Sequence, residues 1–104
     1  MGPKTTQLAA ALRELLGLLE RCSETHWAEW IARDLREIES GDFHGVEHFL
    51  SAFGSMGSLN DLVLHPLNGH SITVDEAATA NEELLRLKST AWSLARDVRH
   101  VAER

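Results

Sequence analysis

The stretch "TVDEAATANEELLRLKSTAWSLARDVRHV", residues 73–101, has the clearest helical pattern in the sequence. Thr73 and Glu76 have the spacing of a capping box, in which each side chain accepts a hydrogen bond from the other residue's backbone N–H at the start of a helix. Beyond the box, apolar side chains recur in alternating steps of three and four residues. This period predicts one long helix with an apolar seam that packs lengthwise against the other helices. The seam consists of Ala77, Ala80, Leu84, Leu87, Ala91, Leu94, Val98 and Val101.

Three shorter helices are predicted before the long one. The first covers residues 5–22 behind an N-cap at Thr5 or Thr6, with leucines on one stripe. The second covers residues 25–40 and carries two tryptophans on its apolar face. The third is shorter, and Gly54 ends it.

An irregular, glycine-rich segment follows the third helix. Its letters "GSMGSLND", residues 54–61, are typical of a turn, because Gly57 permits a positive φ and Ser58 or Asn60 can cap the next turn. We see no internal repeat and no convincing strand pattern. The chain is therefore predicted to be all-α, a single domain over residues 1–104 built as a small bundle of four helices with the irregular segment between helices 3 and 4.

Composition limits the class of protein. The chain has 104 residues, of which 43% are hydrophobic, so it has enough apolar side chain for one core. The only cysteine, Cys22, cannot form an internal disulfide, which fits a reducing compartment. No apolar run reaches the roughly 18 residues that a membrane span needs. These features predict a soluble cytoplasmic protein.

The charge is unevenly distributed along the chain. The formal net charge is −6, and the span from Glu37 to Leu85 holds nine acidic residues and no lysine or arginine. Such an acidic centre argues against nucleic-acid binding, since phosphates are neutralised by lysine and arginine. It favours a cationic partner that is attracted over long range.

Three residues of the third helix raise the question of a metal. His44, Glu47 and His48 spell H-x-x-E-H, a motif in which two histidines hold zinc and the glutamate acts as general base. The motif needs a third protein ligand and a larger body around a substrate cleft, so surface histidines are the favoured interpretation. A further ligand would come from Asp61, His65 or His70.

Two large apolar residues are left open by the pattern. Met56 stands among small residues, where it would fill a gap in the core or offer an adaptable contact to a partner. Trp92 lies beside the seam of the long helix, so it would be buried or partly exposed.

Two stretches carry a family resemblance: "HWAEWI" and "IESGDFHGVEHFLSAFGSMGSLNDLVL". Together they resemble a family of small bacterial proteins of unassigned function, marked by a W-x-x-W/L helix, a G-D-x-x-G turn and a segment of the form fGGMGSlNDlvl. The resemblance covers Trp27 to Leu64, with Gly54-Ser55 in place of the glycine pair. Short acidic chains of this kind are similar to immunity proteins, which neutralise toxins exchanged between competing bacteria.

The leading hypothesis is therefore an immunity or antitoxin protein that occludes a basic surface of a cognate toxin, without catalysis, cofactor, nucleic acid or membrane. The alternatives are a metal-binding protein or metal-dependent enzyme built on His44, Glu47 and His48, and a helical adaptor that dimerises through the last seam. The chain would be a monomer or a homodimer. The predicted contact residues are Asp42, Glu47, Met56, Asn60, Asp61 and His65.

Overall fold

The computed structural model of the protein describes residues 2–101, so residue 1 and residues 102–104 of the predicted domain lie outside the described residues. The described part is all-helical, as predicted, and none of its helices is long and apolar enough to cross a membrane. Its elements are α1 (Pro3–Arg21), α2 (Thr25–Glu39), α3 (His44–Leu50), two 3₁₀ turns at Leu59–Asp61 and Pro66–Asn68, and α4 (Val74–Val101).

Helix α4 sets the length of the molecule. It has 28 residues, and at 1.5 Å per residue it is about 42 Å long, close to the longest dimension of 41 Å. The predicted capping box is confirmed: the Thr73 N–H donates to Glu76 Oε1 at 3.0 Å, and the Glu76 N–H donates to Thr73 Oγ1 at 3.2 Å. The predicted seam is buried or half-buried along α4 except at Val101, which is 58% exposed.

Helix α1 packs along α4 in the opposite direction. Lys4 near the start of α1 pairs with Asp97 near the end of α4 at 2.9 Å, and Arg21 at the end of α1 pairs with Glu83 at 3.6 Å. The leucine stripe of α1 enters the core, as predicted. Its fully buried members are Leu8, Leu12, Leu15 and Leu19.

The predicted N-cap of α1 is wrong. The helix begins at Pro3 behind Gly2, and Thr5 is buried inside its first turns. Proline suits the first helical position, because its fixed φ is helical and its missing N–H would have no partner there. The threonines therefore lie within α1 and do not cap it.

The other side of α4 is covered by α3 and by the irregular segment. α3 packs against both α2 and α4, but it has only seven residues. Beyond it, Leu59 and Leu64 are fully buried. The side chain of Asn81 accepts from the N–H of Leu64 and donates to its carbonyl oxygen, both at 2.8 Å. The Lys88 ammonium donates to the Leu59 carbonyl oxygen at 3.2 Å, so polar bonds fasten the segment to α4.

Helices α2 and α3 approach each other closely at Gly45. A Cβ atom at this position would lie 2.7 Å from the carbonyl oxygen of Asp34 and 2.9 Å from the Glu37 Cβ. Real Cβ atoms do not come so close to a backbone atom, so only glycine allows this contact. The glycine that weakens α3 as an isolated helix thus permits its docking on α2.

Candidate binding surface

Residues 54–61 form a hydrogen-bonded turn on the surface, here called the elbow. The Gly57 N–H donates to Asp61 Oδ2 at 2.7 Å, and the Asn60 N–H donates to Ser58 Oγ at 3.3 Å. Gly57 has a φ of +75°, as the sequence predicted, and Ser58 caps the first 3₁₀ turn. The elbow is therefore held in one shape by bonds within itself.

Met56 stands at the tip of the elbow. Its side chain is 99% exposed, whereas Leu59, three residues later, is fully buried. The Leu59 N–H also donates to the Ala52 carbonyl oxygen at 2.9 Å, which ties the base of the elbow to the end of α3. Of the two roles left open for Met56, the structure supports the external contact, because no core atoms surround it.

A groove of about 760 Å³ runs between α3 and α4 and ends at the elbow. Leu50 and Phe53 line it on the α3 side, and Leu85 and Trp92 line it on the α4 side. Leu85 is 63% exposed and Trp92 is 37% exposed, so this part of α4 lacks a covering element. Trp92 is therefore a half-exposed residue at the groove.

Three of the predicted contact residues lie together in the elbow: Met56, Asn60 and Asp61. Asn60 is exposed and also lines the groove, so it links the two features. Asp61 is exposed, but its Oδ2 atom is already bound by the Gly57 N–H. Asp61 therefore shapes the elbow and also contributes negative charge to it.

The other three predicted contact residues lie outside the elbow. Asp42 is exposed before α3, where its Oδ1 atom accepts from the His44 N–H at 2.9 Å, and Glu47 is exposed on α3. His65 is half-buried, and its Nδ1 atom accepts from the Leu67 N–H at 3.1 Å. His65 therefore caps the second 3₁₀ turn.

Part of the acidic charge of the span from Glu37 to Leu85 is engaged within the protein. Glu39, which belongs to the acidic span of the sequence, pairs with Arg13 of α1 at 2.9 Å. Asp42 and Asp61 each accept a backbone hydrogen bond. Glu47 has no ion pair within the part of the chain that the structure describes. Glu47 is exposed, so its carboxylate is available to a partner.

The histidines of α3 are not arranged as a metal centre. His48 Nδ1 is bonded to Asp34 Oδ1 of α2, and its ring stacks on Trp30 with ring centres 4.2 Å apart. His44 is exposed. Among residues 2–101, no three histidine, cysteine, aspartate or glutamate side chains lie close enough to hold a metal ion. The geometry therefore lends no support to the metal hypothesis.

Asp34 is the most unusual titratable group in the described part of the chain. Its side chain is fully buried, and its Oδ2 atom has no hydrogen-bond partner among residues 2–101. Desolvation raises the pKa of Asp34 to about 6, while the hydrogen bond from His48 works in the opposite direction. The bond from this carboxyl group to His48 joins α2 to α3. Because its pKa is raised in the folded protein, ionisation of Asp34 lowers the free energy of unfolding.

Sequence reasoning missed both buried charges, Asp34 and Lys88. Asp34 lies on the apolar stripe of α2, between Ile31 and Ile38, where a charged residue in the sequence indicates a buried charge. Lys88 follows Leu84 by one helical turn and is 8% exposed. A lysine beside an apolar seam usually extends its ammonium to solvent, so the sequence pattern does not predict that Lys88 is buried.

A family model described as a domain of unknown function, DUF6966, matches residues 20–73, just over half of the chain. The chain belongs to this family. Comparison with curated proteins and with solved structures finds no match. The DUF6966 region contains α2, α3, the elbow and both 3₁₀ turns, and it ends before α4. The elbow therefore lies within the region that the family model matches, whereas the α4 wall of the groove lies outside it.

Proposed function

We propose that the chain is an immunity- or antitoxin-type binding protein, which acts in the bacterial cytoplasm and neutralises a cognate protein toxin. It catalyses no reaction, and it occludes a basic surface of the toxin with the elbow and the exposed side of α3. The observation that carries the proposal is Met56, 99% exposed at the tip of a turn that is fixed by its own hydrogen bonds.

The fixed shape of the elbow favours binding. A segment that is already ordered loses little conformational entropy when it docks, so more of the contact energy appears as affinity. Methionine is flexible and polarizable, so Met56 can adapt to an apolar pocket on the partner. Leu59 anchors the elbow from below, because it is fully buried.

Electrostatics supply the second part of the proposal. The formal net charge of −6 attracts a basic surface over long range and speeds the encounter. Glu47 and the free oxygen of Asp61 then face the partner's lysine and arginine side chains. Nucleic acid is the wrong partner for this surface, because its phosphates would be repelled.

The test takes its candidate toxins from open reading frames that neighbour the gene of this chain and encode a secreted protein. Co-expression should restore growth of cells that produce the toxin, and the two purified proteins should form a stoichiometric complex in a calorimetric titration. Raising the salt concentration by about tenfold should slow association, because screening weakens the attraction. If no complex forms at low salt, or if a complex forms without protecting growth, the proposal fails.

A further inference from the structure

Lys88 is a buried cation in the wall of the groove. Its residue is 8% exposed, and its ammonium donates one hydrogen bond, to the Leu59 carbonyl oxygen at 3.2 Å. An ammonium has three donors, so two are left for another acceptor. No carboxylate within residues 2–101 forms an ion pair with it.

The nearest acidic influence on Lys88 comes from Asp61. Desolvation lowers the pKa of Lys88, and the charge of Asp61 opposes that effect. Asp61 Oδ2, however, is bound by the Gly57 N–H within the elbow. A desolvated ammonium with so little compensation is costly, and an anion bound beside it would remove part of that cost.

We propose that the groove binds a small organic carboxylate with an apolar body. The carboxylate accepts hydrogen bonds from the Lys88 ammonium, and the apolar body lies between Leu50 and Phe53 on one side and Leu85 and Trp92 on the other. This inference goes beyond the proposed function and does not rest on it.

The size and the charges of the groove fit such a ligand. Its volume of about 760 Å³ falls within the range of roughly 300–1,000 Å³ typical of small-molecule sites. Among the described residues that line it, Lys88 is the only charged one, so the site favours an anion over a cation or a neutral molecule. The Arg96 guanidinium lies 4.8 Å from the centre of the Trp92 ring, which adds a second positive charge near the groove.

The test compares decanoate with 1-decanol, which has the same tail and no charge, at concentrations where neither forms aggregates. Wild-type protein should bind decanoate at least about tenfold more tightly than decanol in calorimetry, since a charge-assisted hydrogen bond distinguishes them. Lys88→Met should remove this preference. Lys4→Met is the matched control, because Lys4 is an exposed lysine of α1 that pairs with Asp97, and it should keep the preference.

A second measurement does not depend on any variant. Decanoate should shift the methyl NMR signals of Leu50 and Leu85 in the wild-type protein and leave those of Leu67, on the second 3₁₀ turn, unchanged. Equal affinity for decanoate and decanol, or a preference that survives Lys88→Met, overturns the proposal. Shifts of the groove signals that follow protein concentration, or that only a partner protein produces, would assign the groove to another occupant and also overturn it.

Discussion

Helix α4 is covered in two different ways on its two sides. On one side α1 lies along it, with buried leucines between the helices and exposed ion pairs at both ends. On the other side α3 has only seven residues, and the irregular segment is attached to α4 by polar bonds from Asn81 and Lys88. The packing on the α1 side is that of two regular helices side by side. The irregular side keeps a groove, a buried cation and an exposed methionine, so we place function there.

The largest expected difference between the two sides concerns two helical glycines, Gly45 and Gly17. Gly45→Ala should lower the free energy of unfolding by about 2–3 kcal/mol, because the new Cβ would meet the Asp34 carbonyl oxygen at 2.7 Å and push α3 away from α2. Gly17→Ala in α1 should raise it by about 0.5–1 kcal/mol, because alanine favours a helix. There the nearest atom is the end of the flexible Arg21 side chain, at 3.4 Å. Urea denaturation of both variants measures the difference.

The same substitution is thus expected to have opposite signs on the two sides of the molecule. A Gly45→Ala protein as stable as the wild type would show that α2 and α3 are not in close backbone contact. A loss of stability in Gly17→Ala would show that α1 is more tightly packed at this point than its surroundings indicate.

The features that could be predicted from sequence are the local ones. The capping box at Thr73 and the seam of α4 depend on spacing within one helix, and the positive φ of Gly57 depends on one residue. The groove was not foreseen, because it arises from the short length of α3 relative to α4. The bond from Lys88 to Leu59 joins residues 29 apart in the chain, and no periodicity reports such a contact.

Asp34 makes the stability of the contact between α2 and α3 depend on pH. Its pKa is raised from 3.8 to about 6 in the folded protein, mainly by desolvation. The contribution of Asp34 to the free energy of unfolding is therefore fully present below about pH 4, and it is lost as the pH rises through 6. Asp34→Asn cannot ionise, so its stability relative to the wild type should improve by about 2 kcal/mol between pH 4 and pH 7.5. Urea denaturation at both pH values measures this change.

Asp97 is the control for that experiment, because it is an exposed carboxyl group on the α1 side of the molecule. Hydrogen bonding to Lys4 lowers the pKa of Asp97, so its contribution to stability has the opposite pH trend. Asp97→Asn should not reproduce the gain at pH 7.5. A relative stability of Asp34→Asn that is the same at both pH values would contradict the raised pKa of Asp34 in the folded protein.

The smallest expected effect concerns charge at the proposed binding face. Glu47→Lys should slow association with the toxin by about threefold and weaken its salt dependence, because a charge at the edge of an interface acts mainly on the encounter. Glu29→Lys makes the same charge change at an exposed position of α2 and should have a weaker effect. Stopped-flow association rates test this. Identical rates for the two variants would mean that only the net charge matters.

The most direct measurement compares two exposed apolar residues of the irregular segment. Met56 is 99% exposed at the tip of the elbow, and Leu67 is 89% exposed on the second 3₁₀ turn. If the elbow is the docking surface, Met56→Asp weakens toxin binding by about tenfold or more in a calorimetric titration, whereas Leu67→Asp leaves it within about twofold of the wild type. Equal affinities for the two variants, or a larger loss for Leu67→Asp, would contradict the proposed role of the elbow.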